Sequence, residues 1–144
     1  MTSEDHTEPS LVKRFLNRRT LTAVVLIVVA VVMFTGRVQY EAGDSGFTVR
    51  CGSTKTEVVY SDIESVTLIT ALEIGVRSFG MSTFQVDSGT YSNTAYGSYL
   101  LLAEKSQKVC YVEVKTKSGD VVVFNQKTEE DTRSAYEQIK SHIQ

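Results

Sequence analysis

A chain of 144 residues, 42% of them hydrophobic, is long enough for one folded domain and short for two. Its net charge of -2 hides an asymmetry: residues 1–43 hold five basic and four acidic side chains, whereas from Asp44 onward ten basic face thirteen acidic. The folded part is therefore mildly acidic, which argues against a nucleic-acid footprint or a basic lipid-facing surface.

Residues 1–19 form a basic leader with Lys13, Arg14, Arg18 and Arg19, and its polar start, Met1 to Ser10, is expected to be disordered. From Leu21 to Phe34 the chain is uncharged and almost wholly apolar. Extended by Thr20, Thr35 and Gly36, this stretch would be about 25 Å long as a helix, just short of a ~30 Å hydrocarbon core. Arg18, Arg19 and Arg37 can snorkel across the shortfall, and Tyr40 suits the interfacial layer. A core helix in so small a domain would keep a polar face, and a cleaved signal peptide would need a small-x-small site that the chain after Phe34 lacks. The expectation is an uncleaved single-pass transmembrane helix over 20–36. Four Lys or Arg precede it and only Arg37 closely follows. The excess places the N-terminus in the cytoplasm and the C-terminal domain outside the cell membrane.

Residues 37–45 read as a linker that ends in the turn Gly43-Asp44-Ser45-Gly46, leaving 46–144 as the domain. Phe47 to Cys51 alternates apolar and polar as a half-buried strand does. The turn Gly52-Ser53-Thr54-Lys55 and a second strand, Thr56 to Tyr60, complete a hairpin, and a third strand runs from Val66 to Thr70. The Gly-rich stretch from Gly75 to Gly97 looks like strands broken by bends, with one over Thr83 to Asp87. Tyr99 to Ala103 follows. Val109 to Thr116 then alternates strictly, turns at Lys117-Ser118-Gly119-Asp120 and returns as Val121 to Asn125. Thr128 can cap a final helix whose first turn holds Glu129, Glu130 and Asp131, with Ala135, Tyr136, Ile139 and Ile143 on one face. About seven strands and one closing helix predict an α+β domain built as an antiparallel barrel.

The order of these pieces resembles the pleckstrin-homology (PH) fold, and in particular the small bacterial PH-like domains found beside transmembrane segments. The matching residues are Tyr60 to Val66, Gly75 to Gly80, Tyr96 to Leu100, Val112 to Thr116, Gly119 to Asn125, and the helical Tyr136 to Lys140. The resemblance covers roughly 46 to 143 and implies a barrel of about seven strands with a C-terminal capping helix. It brings no shared catalytic residues. Eukaryotic relatives that bind lipid carry several Lys and Arg around the first hairpin, where this chain has only Arg50 and Lys55. No inositol phosphate is expected.

Few residues suggest chemistry. Cys51 and Cys110 share the apolar faces of their strands, so they either meet or serve as two separate buried thiols. Outside the cell a disulfide is permitted, and it would close a loop of about sixty residues worth up to ~4 kcal/mol. His6 and His142 lie far from either thiol in sequence, and no spaced cluster of ligands supports a metal, a cofactor or nucleophilic catalysis. Arg77, between two glycines and beside Phe79, is the candidate binding residue, and the resemblance also implies an Arg there. The alternative is a structural Arg that bonds carbonyls or pairs with Asp62 or Glu64. Tyr91, Tyr96 and Tyr99 suggest a recognition surface or simple packing. The leading expectation is a membrane-anchored, non-enzymatic module that binds a protein or peptide at an open sheet edge or end loops. The second is a small-molecule or lipid sensor with a pocket in the Gly75–Gly97 region.

Overall fold

The computed structural model describes residues 18–144, so the leader expected to be disordered lies, up to residue 17, outside the described residues. The chain divides into two units that part between Phe34 and Thr35. The described part of the first is helix α1 (Arg18–Thr35). Its Thr22 hydroxyl donates back to the Arg18 carbonyl at 2.8 Å, so this polar side chain is satisfied within its own helix. From Leu21 to Val31 the large apolar side chains are exposed all round, about half of each or more. Among the described residues no helix is long and apolar enough to cross a membrane, and the span expected over 20–36 does not follow from the fold.

The second unit contains nine strands: β1 (Val38–Ala42), β2 (Gly46–Cys51), β3 (Thr54–Val59), β4 (Ile63–Ile69), β5 (Val76–Ser82), β6 (Val86–Asn93), β7 (Gly97–Glu104), β8 (Tyr111–Thr116) and β9 (Val121–Phe124). A 3₁₀ turn, Tyr60–Asp62, joins β3 to β4, and helix α2 (Glu129–Ile143) closes the chain. The strands form two sheets, one ordered β1-β2-β3 and the other β4-β8-β9-β7-β6-β5. All pairings are antiparallel except β7 with β9.

This corrects the expectation of about seven antiparallel strands at three points. First, the expected linker 37–45 contains β1, whose alternating Val38-Gln-Tyr-Glu-Ala pattern is that of a strand with one buried face. Tyr40 is accordingly not at a lipid interface. Its ring stacks on Phe124 and tilts against Phe47, with centroids 5.7 Å apart in both cases. Second, the Gly75–Gly97 stretch is a long hairpin rather than broken pieces. Gly80 and Gly89 stand opposite each other at φ +119° and +138°, and a Cβ on either would come within 2.6 Å of the other's Cα. These glycines permit close backbone approach and do not mark turns. Third, β7 and β8 run antiparallel one strand apart, and β9 fills the slot between them. A strand there is covered on both faces, which suits the unbroken apolar run Val121-Val-Val-Phe124.

The six-stranded sheet thus carries two cores. The inner one joins Phe47, Val49, Val58, Val112, Val114, Phe124, Ala135 and Ile139 between the sheets and α2. The outer one gathers Tyr91, Tyr99, Leu101, Ala103, Tyr111 and Val123, with Leu72 and Ile74 packed over them. Leu72 and Ile74 belong to the strap between β4 and β5, the two outermost strands of this sheet. The Tyr99 hydroxyl donates to the Ile74 carbonyl at 2.7 Å, and the Asn93 amide donates to that of Glu73 at 2.6 Å. Helix α2 begins as expected: the Thr128 hydroxyl accepts from the Asp131 N–H at 3.0 Å and donates to the Asp131 carboxylate at 2.7 Å. Its buried face is Thr132, Ala135 and Ile139.

Candidate functional site

Two places on the domain offer something to a partner. The first is the free edge of β5. This strand is the last of its sheet and is hydrogen-bonded to β6 alone. Phe79 is 79% exposed and Val76 71%, and only Met81 of the seven residues is even half-buried. A bulge between Arg77 and Phe79 interrupts the ladder, after which Phe79 to Ser82 pair regularly with Thr90 to Asp87. The other outer strands are better occupied. β4 lies under α2, β1 runs against β7, and β3 carries Lys55 and Glu57 outward, charges of the kind that discourage strand addition.

The second place is a groove of about 310 Å³ lined by Arg37, Phe84, Gln85, Glu104, Lys105, Ser106 and Lys127. Four segments distant in sequence build it. The Thr83 hydroxyl accepts from the N–H groups of Gln85 and Val86 at 3.2 and 3.1 Å, which tightens the β5–β6 turn. The Lys105 N–H donates to the Gln85 carbonyl at 2.7 Å and ties that turn to the end of β7. Beneath it Asn125, fully buried, accepts the Glu104 N–H at 2.6 Å and donates to the carbonyls of Glu104 and Gln107 at 3.2 and 2.6 Å. Gln107 in turn accepts from the N–H groups of Val109 and Cys110 at 2.6 and 3.0 Å. This polar knot holds the β7–β8 crossover, and with it Lys105 and Ser106. The one carboxylate of the groove, Glu104, is turned inward and accepts the Val38 N–H at 2.9 Å.

The residues singled out in the sequence do not gather in either place. Arg77 stands on β5 opposite Tyr91, where its charge partly offsets the burial and the Asp87 charge that raise the Tyr91 hydroxyl above its usual value. Its expected partners Asp62 and Glu64 lie at the far side of the sheet, at the start of β4. The ion pairs among the described residues are instead Lys105–Asp87, Lys115–Glu113 and Arg133–Glu129. Tyr91 and Tyr99 are buried and Tyr96 packs edge-on to Tyr99 at 5.2 Å. The Tyr96 hydroxyl donates to the Glu113 carboxylate. The tyrosines are therefore packing, not a recognition surface.

Cys51 and Cys110 are both buried and free. Both are buried as expected, Cys51 at the end of β2 and Cys110 at the residue before β8, yet in different surroundings. Cys51 lies by Ser88, Glu104 and Asp87, and Cys110 by Arg133 and Glu129 at the start of α2. The disulfide is thus replaced by its alternative, two separate buried thiols. Burial pushes the Cys51 thiol up to about 11, with a small opposing pull from the Ser88 hydroxyl, so neither the thiolate nor its chemistry is at hand near neutral pH. Among the described residues no group of three or more His, Cys, Asp or Glu is placed to hold a metal ion. The Gly75–Gly97 stretch, expected to line a ligand pocket, forms β5, β6 and the turns beside them and contributes Phe84 and Gln85 to the groove.

Comparison with known families gives one match: a family model described as Bacterial PH domain covers residues 38–130. No curated protein and no solved structure matches the chain. The match begins with β1, at the residue where the sheet itself begins, and runs into the first turn of α2.

Proposed function

The chain belongs to the bacterial PH domain family, and on that premise we propose that it is a membrane-anchored, non-enzymatic module that takes an extended protein segment along β5. PH domains are generally interaction modules without catalytic groups of their own, and the fold alone does not name a ligand. The observation that carries the reading is the exposed edge of β5, where unpaired backbone groups run beside Val76 and Phe79. Such an edge offers main-chain hydrogen bonds to an added strand, and alternate side chains set its specificity. An apolar segment with a carboxylate opposite Arg77 fits it best.

The anchor is α1. Its support is the ring of exposed apolar side chains from Leu21 to Val31, which water solvates poorly and lipid accepts. Eighteen helical residues reach about 27 Å, short of the ~30 Å of a hydrocarbon core, so the anchor needs its flanking arginines to reach across the difference. The basic residues before it favour a cytoplasmic N-terminus and an extracytoplasmic domain. Protease added to intact cells should then cleave the domain, and protection until the cells are broken would reverse the orientation.

The edge is tested by a photoreactive amino acid placed at position 79 in native membranes, with position 57 on β3 as the control. A protein adduct at 79, absent at 57 and suppressed when Gly80 is replaced by Pro, supports the reading. Equal adducts at both positions, or none at 79 beside a co-purifying small molecule, would overturn it.

A further inference from the structure

The edge of β5 and the groove meet at one side chain. After the bulge, β5 pairs without a break from Phe79 to Ser82, so the half of the edge best suited to an added strand ends at Ser82. There the Lys105 ammonium donates to the Ser82 hydroxyl at 3.0 Å and to the Thr83 carbonyl at 2.6 Å. Lys105 is also one of the residues that line the groove. A chain that runs along β5 and past its last residue therefore enters the groove at its first cation.

The charge of the groove says what such a chain carries. Arg37, Lys105 and Lys127 line it, and its one carboxylate, Glu104, is turned inward to the Val38 N–H. Lys105 already meets Asp87 at 3.3 Å, whereas Arg37 and Lys127 are exposed and in none of the ion pairs among the described residues. The three cations come from three places in the fold, before β1, after β7 and before α2, so they suit several carboxylates along a chain better than one at a point. From Asp44 onward acidic side chains outnumber basic ones, and that excess steers an acidic chain away from the rest of the domain. We infer that the groove binds an acidic flank of the protein segment that adds to β5, with Arg37 and Lys127 pairing its Asp and Glu side chains. An added strand stands three strand spacings from β7, about 14 Å or roughly four extended residues, so the acids lie about that many residues beyond the one beside Ser82. The inference rests on the reading of β5 as an interaction edge and deepens it, and the anchor is not needed for it.

A library of random displayed peptides, selected on the full chain in detergent, provides the test. Enriched sequences should join an alternating apolar run to several Asp or Glu at one end. Synthesised singly, they should bind the Arg37→Gln/Lys127→Gln variant roughly fivefold more weakly. The Arg50→Gln/Lys55→Gln variant loses as much charge, from the paired residues of the first hairpin, and should bind them unchanged. Joined sequences that bind both variants equally would overturn the groove as their site. Apolar sequences without acids would overturn the acidic flank and leave the β5 edge standing. Acidic sequences without the apolar run would separate the groove from the edge and overturn the shared segment. No enrichment at all would remove the edge and the flank together. Amidating the peptide C-terminus should leave binding unchanged, and a requirement for the free carboxylate would overturn side-chain acids as the ligand.

Discussion

β9 and β5 belong to one sheet and could hardly be treated more differently by it. β9 is four residues long, lies between β7 and β8, and has three of its four side chains buried. β5 is nearly twice as long, has a neighbour on one side only, and buries none of its side chains fully. The centre is held by side-chain amides at its end, where Asn125 and Gln107 supply partners to a crossover that has no ladder of its own. The edge is held mainly by its backbone ladder, with the close pairing of Gly80 with Gly89, and at its end by the Ser82 hydroxyl, which donates to the Asp87 carboxylate at 2.6 Å. Stability is therefore concentrated where the sequence is shortest, and the longer strand is left for something outside the domain.

The comparison can be broken most sharply at Asn125. Asn125→Ala leaves the N–H and carbonyl of Glu104 and the carbonyl of Gln107 short of a partner, and it should lower the unfolding free energy by about 3 kcal/mol or more, read from urea titration. A loss under about 1 kcal/mol would mean that the crossover does not depend on the knot. Next comes alkaline pH. Burial, reinforced by the charge on neighbouring Tyr91, pushes the Tyr99 hydroxyl from 10.0 up to about 12. Its folded value lies above its unfolded one, so its contribution is whole below pH 10 and is lost as pH rises through about 12. Thermal melts over that window should fall more steeply for the native chain than for Tyr99→Phe. The smallest effect belongs to the edge. Phe79→Lys should change stability by no more than about 0.5 kcal/mol, while abolishing the adduct formed by a photoreactive group at Val76. A large loss of stability would show Phe79 to be part of the fold after all.

Much of this was legible in the residues. Val112, Val114 and the Val121–Phe124 run announce a buried hairpin, and Thr128 with Asp131 announces the start of α2, because both signals are local. β1 was hidden by its neighbours: Val38 and Tyr40 follow an apolar helix so closely that Tyr40 reads as an interfacial residue. β5 was hidden by Gly80 and Gly89, since a glycine that allows close backbone approach is the same letter as one that turns a chain. The parallel pairing of β7 with β9 has no sequence signal, because alternation tells which side chains face inward and not which strand lies beside which. The groove was the least visible. Arg37, Lys105 and Lys127 stand far apart in the chain, 68 and then 22 positions, and a charge tally over the whole domain cancels them.

The slot between β7 and β8 also sets an order of events. Residues 121–124 are the last strand of the domain in chain order, so they are made after every other strand. Until they arrive, the six-stranded sheet is two fragments, β4 with β8 on one side and β7, β6 and β5 on the other. The partly made chain therefore cannot close its six-stranded sheet. Once β9 enters, the two halves are joined on both flanks in a single step.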